Sequence, residues 1–263
     1  MIQGKLLVID GVNIVRRVYE ASTEPESPEK AELAIRNSAS FFRKLLAIHE
    51  PTHVLPAFDF GGRTWRHALH PPYREHGASM PPLLHERLPE LLATLTSRGM
   101  HVVSVPEVDA NDVIATAVLR WLNEQRGSAI IASTTKNLQA LIAHGALVWD
   151  PFKGEWRDRE WVIGKFGVPP EMLTDLFALV GDSAHAIPGV SKVGLKTAAK
   201  LLQSYETLEG VMGGAGILKN TLGEKLRKEH DQAFLSRELV RLKTDVRLGI
   251  TWKSLACTPR HDP

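Results

Sequence analysis

Five short apolar runs punctuate the first 150 residues: KLLVID (5–10), THVLPAFD (52–59), HVVSV (101–105), SAIIAS (128–133) and ALVWD (146–150). Continuous apolar runs of this length are what strands buried on both faces of a parallel sheet require. Pro56 lies inside the second run and places that strand at an edge or a bulge, because proline gives no ladder donor. Helical patterns fill the intervals. Ser27 followed by Pro28 caps and opens a helix running to about His49. Residues 81–99 and 109–127 read as helices that each end on a glycine. Strands alternating with helices imply an α/β fold with a mostly parallel central sheet flanked by helices.

Beyond about residue 160 the strand signals stop and helices follow one another, 230–244 being the clearest. The expected division is therefore an α/β domain over 1–160 and a helical region over 161–263. Residues 60–80 are rich in Gly, Pro, His and Arg with no apolar period, which reads as an exposed, mobile loop or arch.

With one cysteine, Cys257, the chain has neither a disulfide framework nor a Cys-based zinc cluster, and a reducing compartment is expected. No apolar run reaches membrane-spanning length, and Asp10 comes too early for a signal peptide, so the expectation is a cytoplasmic protein with no membrane partner. Net charge is only +2, but its distribution is uneven: residues 1–183 carry 19 Lys/Arg against 22 Asp/Glu, and residues 184–263 carry 13 against 8. An acidic first part joined to a basic last part suits a cation site followed by a polyanion-binding surface, although ordinary surface variation could give so small a bias.

Asp10 and Asp59 each end an apolar run, and in parallel sheets the ligand site lies beyond the carboxyl ends of the strands. Asp109 and Asp112 open the third helix, where the pair could equally be a cap and a dipole partner. Asp182 stands near the start of the passage GDSAHAIPGVSKVGLKTAAKLL (181–202). Several acids on one edge repel each other unless a cation joins them, and oxygen-only ligation suits Mg²⁺ or Mn²⁺. The same passage nearly spells a phosphate-binding P-loop, but Leu195 displaces the lysine by one residue and no strand run precedes Gly189. Trp149, Trp156 and Trp161 could stack bases, but strand and core packing suits them better.

These motifs, in this order, resemble the 5′-3′ exonuclease and flap endonuclease family, and within it the polymerase-free bacterial exonuclease IX type. The likeness runs from LLVIDGVNIVRR through PTHVLPAFD, WRHALHPPYR, DANDVIAT, STTKNLQAL and FGVPPEMLTDLFALVGD to IPGVSKVGLKTAAKLL. It implies a 5′-nuclease, PIN-like α/β fold, with a helical arch at about 60–95 and a helix–hairpin–helix module. It also implies divalent ions (Mg²⁺ or Mn²⁺) on Asp10, Asp59, Asp109, Asp112 and Asp182, with Asp10, Asp59 and Asp112 catalytic and Arg66 and Arg74 steadying the scissile phosphate. The arch pattern continues through Tyr73 to Gly77, where a family cation is missing.

In the hairpin, Gly189 and Gly194 would permit the tight turn. Lys192, Val193, Gly194, Leu195, Lys196 and Thr197 would bind DNA phosphates without reading sequence, with Lys200 adding charge. The resemblance further implies K⁺ on the carbonyls of Leu179, Val180, Pro188, Val190 and Val193, no nucleotide cofactor, and a monomer. Lys192 stands where the family usually has glycine. Asn111, Thr135, Asn137 and His185 stand where it has carboxylates, which depletes the second metal site and predicts slowed hydrolysis. Two readings follow: a weakened DNA-structure-specific 5′-nuclease, or a catalytically silent relative that binds DNA through the hairpin.

Overall fold

A computed structural model describes residues 4–75, 80–218 and 220–257. β1 (Gly4–Asp10), α1 (Gly11–Glu20), α2 (Pro28–His49), β2 (His53–Ala57), α3 (Trp65–Leu69), α4 (Pro82–Ser97), α5 (Ala110–Asn123), β3 (Gly127–Ala132), β4 (Leu147–Asp150) and β5 (Glu155–Arg157) form the first part. α6 (Arg159–Phe166), α7 (Leu173–Val180), α8 (Leu195–Tyr205), α9 (Leu208–Gly214), α10 (Thr221–Lys228) and α11 (His230–Val240) form the second.

The sheet order is β2-β1-β3-β4-β5, parallel except for the antiparallel β4–β5 pair. β1 lies centrally, and Leu6 to Ile9 have no exposed surface. Its alternating side chains feed two cores. Leu6 and Val8 pack with Leu55, Val113, Val118 and Trp121, whereas Leu7 and Ile9 pack with Phe42, Leu45, Leu91 and Leu95. A third core, around Leu173, Leu176, Leu202 and Leu226, joins the later helices. The helix at 28 begins as expected, with Ser27 Oγ accepting the Lys30 N–H at 3.1 Å.

The third apolar run does not become a sheet strand. Val103 makes a single parallel bridge to Ala57, donating to Pro56 O at 2.9 Å and accepting from Phe58 N at 3.0 Å. Pro56 has no N–H to extend that ladder. β5 was not foreseen, since only three residues pair. Asp150 secures that hairpin by accepting from Phe152 N, Lys153 N and the Arg157 guanidinium. The last long helix stops at Val240 rather than 244, because Arg241 turns to extended backbone (ψ 136).

Residues beyond Val240 return to the first part instead of staying with the helices. Leu248, Trp252 and Leu255 join the core that holds Trp121, and the Trp121 and Trp252 rings meet edge-on at 5.1 Å. Cys257 N donates to Thr52 O at 2.8 Å, beside an antiparallel bridge between His53 and Ala256. This strap covers part of the otherwise open β2 edge.

Candidate active site and nucleic-acid interface

The carboxyl ends of β1, β2 and β3 bring Asp10, Asp59 and Thr135 to one edge of the sheet. Asp10 is 3% exposed. One oxygen accepts from Asn13 N at 3.2 Å, and the other from the hydroxyls of Ser133 (2.6 Å) and Thr135 (3.0 Å). Burial raises its pKa against these lowering hydrogen bonds, and the charge of Asp59 adds to the rise. Asp59 accepts from Ala110 N at 2.7 Å and pairs with Arg74 at 3.1 Å.

Asp109 and Asp112 are both buried at the start of α5. Asp109 stands at the cap position without making a side-chain cap bond, so its carboxylate is directed elsewhere. It meets Arg66 through one oxygen and Arg74 through the other, the latter at 3.0 Å. Asp112 accepts from Trp65 Nε1 (2.9 Å), Arg66 Nη1 (2.7 Å), Arg66 Nη2 (2.9 Å) and Lys243 N (2.9 Å).

Within the segment expected as an exposed loop, residues 60–63 are exposed, but residues 64–74 fold down over these acids. α3 and the turn after it bury Arg66 (3% exposed) and Tyr73 (5%). All five N–H donors of Arg66 are used, on Asp109, Asp112 twice, Leu239 O and Arg241 O. In this arrangement none of its donors is free for a phosphate. Burial opposes its charge, but Asp112 and Asp109 prevail and push its pKa further up. Arg74 is held charged in the same way by Asp59 and Asp109. Burial, with the charge of Asp109, drives the Tyr73 hydroxyl up to about 12. Gly77 lies outside the described residues.

A cavity of about 230 Å³ lies at the second group of expected positions: Asn111, Thr135, Asn137, Asp182 and His185 line it together with Arg66 and Tyr73, whereas Asp10, Asp59 and Asp109 do not. His185 Nδ1 lies 3.0 Å from Asp182 Oδ2. Burial alone would raise Asp182, yet the His185 contact and the Lys136 charge hold it below the usual carboxylate value. Among the described residues no three His, Cys, Asp or Glu are arranged to hold a metal ion. The fit is nevertheless chemical: Asp10, Asp59 and Asp109 offer hard oxygens, and Asp59 and Asp109 already share one cationic group, Arg74. Asp112 differs, because four N–H donors consume its oxygens.

Beside this edge, α7 and α8 flank a turn with no preceding strand, so the passage at 181–202 is not a P-loop. Gly189 has φ 62, and a Cβ there would lie 2.4 Å from Gly181 N. Gly194 does not force the turn as expected: its φ is −92 and the space around it is open. Lys192 adopts φ 63, the left-handed region that explains a glycine at that position. No side chain caps α8, and Lys192, Lys196 and Lys200 are exposed around its start.

Sequence reasoning missed the residues that pin the turn. Gln232 donates to Gly189 O (2.6 Å), Ser236 accepts from Gly189 N (3.0 Å), and Glu229 accepts from Ser191 N (2.6 Å). Gln232 and buried Ser236 lie on α11 and Glu229 at its cap, and no local pattern marks them. Trp149 and Trp161 pack half-buried, Trp149 against Trp156 at 4.8 Å and Trp161 against Phe166 at 6.1 Å, but Trp156 is itself exposed on β5.

Residues 5–167 match the family model "5′-3′ exonuclease, N-terminal resolvase-like domain", and residues 168–263 match "5′-3′ exonuclease, C-terminal SAM fold". The chain is 33% identical over 259 residues to the flap endonuclease Xni of Psychromonas ingrahamii, covering 98% of both. It is 36% identical over 256 residues to that of Shewanella amazonensis, covering 97% of this chain and 99% of the relative. Among solved structures, the 5′-exonuclease of bacteriophage T5 with bound divalent zinc superposes with a TM-score of 0.75 at 16% identity, over 91% of this chain and 90% of that one. The Rad2 catalytic core in complex with DNA substrate gives 0.56 at 13%, over 95% and 83%. No helix among the described residues is long and apolar enough to cross a membrane. On both family models and on identity over nearly its whole length, the chain belongs to the 5′-3′ exonuclease family.

Proposed function

We propose that this protein is a DNA-structure-specific 5′-nuclease that hydrolyses phosphodiester bonds with Mg²⁺ or Mn²⁺. The observation that carries the reading is the gathering of acids from the ends of β1 and β2 and the start of α5 at one sheet edge, beside a cavity whose lining runs from Thr135 to Asp182 and His185. Asp10, Asp59 and Asp109 would hold the divalent ion. When bound, such an ion polarises a phosphate oxygen and lowers the pKa of water. Ser133 and Thr135 fix the orientation of Asp10, and the Ala110 N–H fixes that of Asp59. Asp112 acts indirectly, by locking Arg66 beneath the site. Asp182 lines the cavity with Thr135 and His185 and is a further candidate ligand there.

DNA would bind along residues 192–197, where backbone N–H groups at the start of α8 meet a phosphate and lysines supply salt-dependent affinity. A K⁺ ion at the hairpin, on the carbonyls of Leu179, Val180, Pro188, Val190 and Val193, belongs to the same proposal. So do monomeric action, a cytoplasmic location and a hydrolysis rate lowered by the carboxylates missing at 111, 135, 137 and 185.

A 5′-labelled flap duplex incubated with protein and Mg²⁺ or Mn²⁺ tests the reading. Wild type should release the flap, and Asp10→Asn should lose at least about 100-fold in rate, since even residues that only support a metal ligand cost 10–100-fold. Flap binding with no cleavage beyond that of Asp10→Asn would leave the silent DNA-binding relative as the correct reading.

A further inference from the structure

Arg74 reaches two acids at once. Its Nη1 lies 3.1 Å from Asp59 Oδ2 and 3.0 Å from Asp109 Oδ1, side chains carried by different elements. A single nitrogen between two carboxylates occupies the place a cation takes between shared oxygen ligands. Asp109 is 1% exposed and Arg74 about one-third, so solvent screens this contact only weakly. The backbone beneath it is fixed: Arg74 N donates to His185 O at 3.0 Å, with φ 59 in the left-handed region. Tyr73 stacks on His185 at 6.1 Å. The guanidinium is thus the movable part of an anchored residue.

The charges then impose a choice. Arg66 is shared between Asp109 and Asp112, so the acids of this edge, Asp10 and Asp59 included, outnumber their arginines, and Arg74 is the second cation among them. Arg74 and a divalent ion on the same oxygens would repel each other. Arg66 does not have this choice, because all of its donors are engaged.

We propose that Arg74 is a resident cation of the acid site, which exchanges for the divalent ion. The guanidinium holds Asp59 and Asp109 when no metal is bound and leaves them as the ion enters. Metal affinity is thereby set partly by the work of displacing an internal counter-ion. The inference rests on the metal-dependent reading above.

Calorimetric titration of the full chain with MnCl₂, at low ionic strength and without DNA, tests it. Arg74→Gln removes the competitor and should bind Mn²⁺ roughly tenfold tighter than wild type, within the usual range of site-to-site coupling. Arg74→Lys keeps the charge without the planar fork and should fall between them. Metal-free Arg74→Gln should also melt lower than wild type, and Mn²⁺ should raise its melting temperature more. Equal or weaker Mn²⁺ affinity in a folded Arg74→Gln protein overturns the exchange and leaves the metal-dependent reading standing. Should that variant fail to fold, wild type binding as tightly as Arg74→Lys overturns it instead. Absence of Mn²⁺ binding in every protein overturns both.

Discussion

Arg66 shows how much a single buried side chain can organise. It joins α3, the start of α5 and the chain leaving α11, and its partners lie 43, 46, 173 and 175 positions away. Replacing it with methionine leaves buried Asp112 without its arginine partner and Asp109 with Arg74 alone. The expected cost is about 3–5 kcal/mol, measured by urea unfolding. Little change in the midpoint would show that the pair is not a structural keystone. Asp10 and Asp59 were legible in the sequence, because each ends an apolar run. The arginine that neutralises Asp109 and Asp112 was legible as a cation but not as a buried one, since burial depends on contacts far along the chain. Thr135 shows a substitution with consequences for its neighbour: its hydroxyl donates to Asp10, where a carboxylate would repel it. Restoring Asp at 135, 137 and 185 together should therefore raise the cleavage rate only when divalent metal is saturating. A flat rate at all metal concentrations would remove these positions from the second site.

Among the elements, the α7–α8 turn most closely matched its sequence reading, yet its two marked glycines have different physical roles. Gly189 needs a positive φ and backbone contact, with the Val180 carbonyl carbon 2.5 Å from where a Cβ would sit. Gly194 needs neither. Gly189→Ala should lower stability by about 1–3 kcal/mol in thermal denaturation and weaken flap binding, whereas Gly194→Ala should leave the melting temperature unchanged. Equal effects would mean that the turn is held by its partners Gln232 and Ser236 rather than by its own backbone. The strands divide in a similar way. Runs that pair along their whole length were readable from composition. HVVSV was not, because its neighbour Pro56 cannot extend a ladder. β5 was hidden because Asp150 and Arg157, rather than apolar patterning, secure the hairpin.

Across the whole molecule, residues 241–257 tie the end of the chain to its beginning. Glu124, at the end of α5, accepts from Arg126, Trp252 Nε1 and Arg120, which hold its pKa down to about 2. An acid depressed in the folded state stabilises it above its unfolded value, and that contribution is lost as pH falls through the folded value. Stability should therefore decline between about pH 4.5 and pH 2 partly through Glu124. Glu124→Gln should flatten that part of the slope in acid titrations followed by tryptophan fluorescence, and an unchanged slope would place the strap's acid sensitivity elsewhere. The strap was not legible in the sequence: its apolar residues Leu248, Trp252 and Leu255 show no clear period, and their partner Trp121 lies on a helix more than 100 positions earlier. Period, capping and run length are short-range properties, so the amino-acid order alone could set the α/β alternation, the acids at strand ends and the lysine-rich turn. Which acids stay open and which are closed by arginine depends on segments that meet only after folding. Burial and charge compensation are properties of that meeting, and no local pattern encodes them.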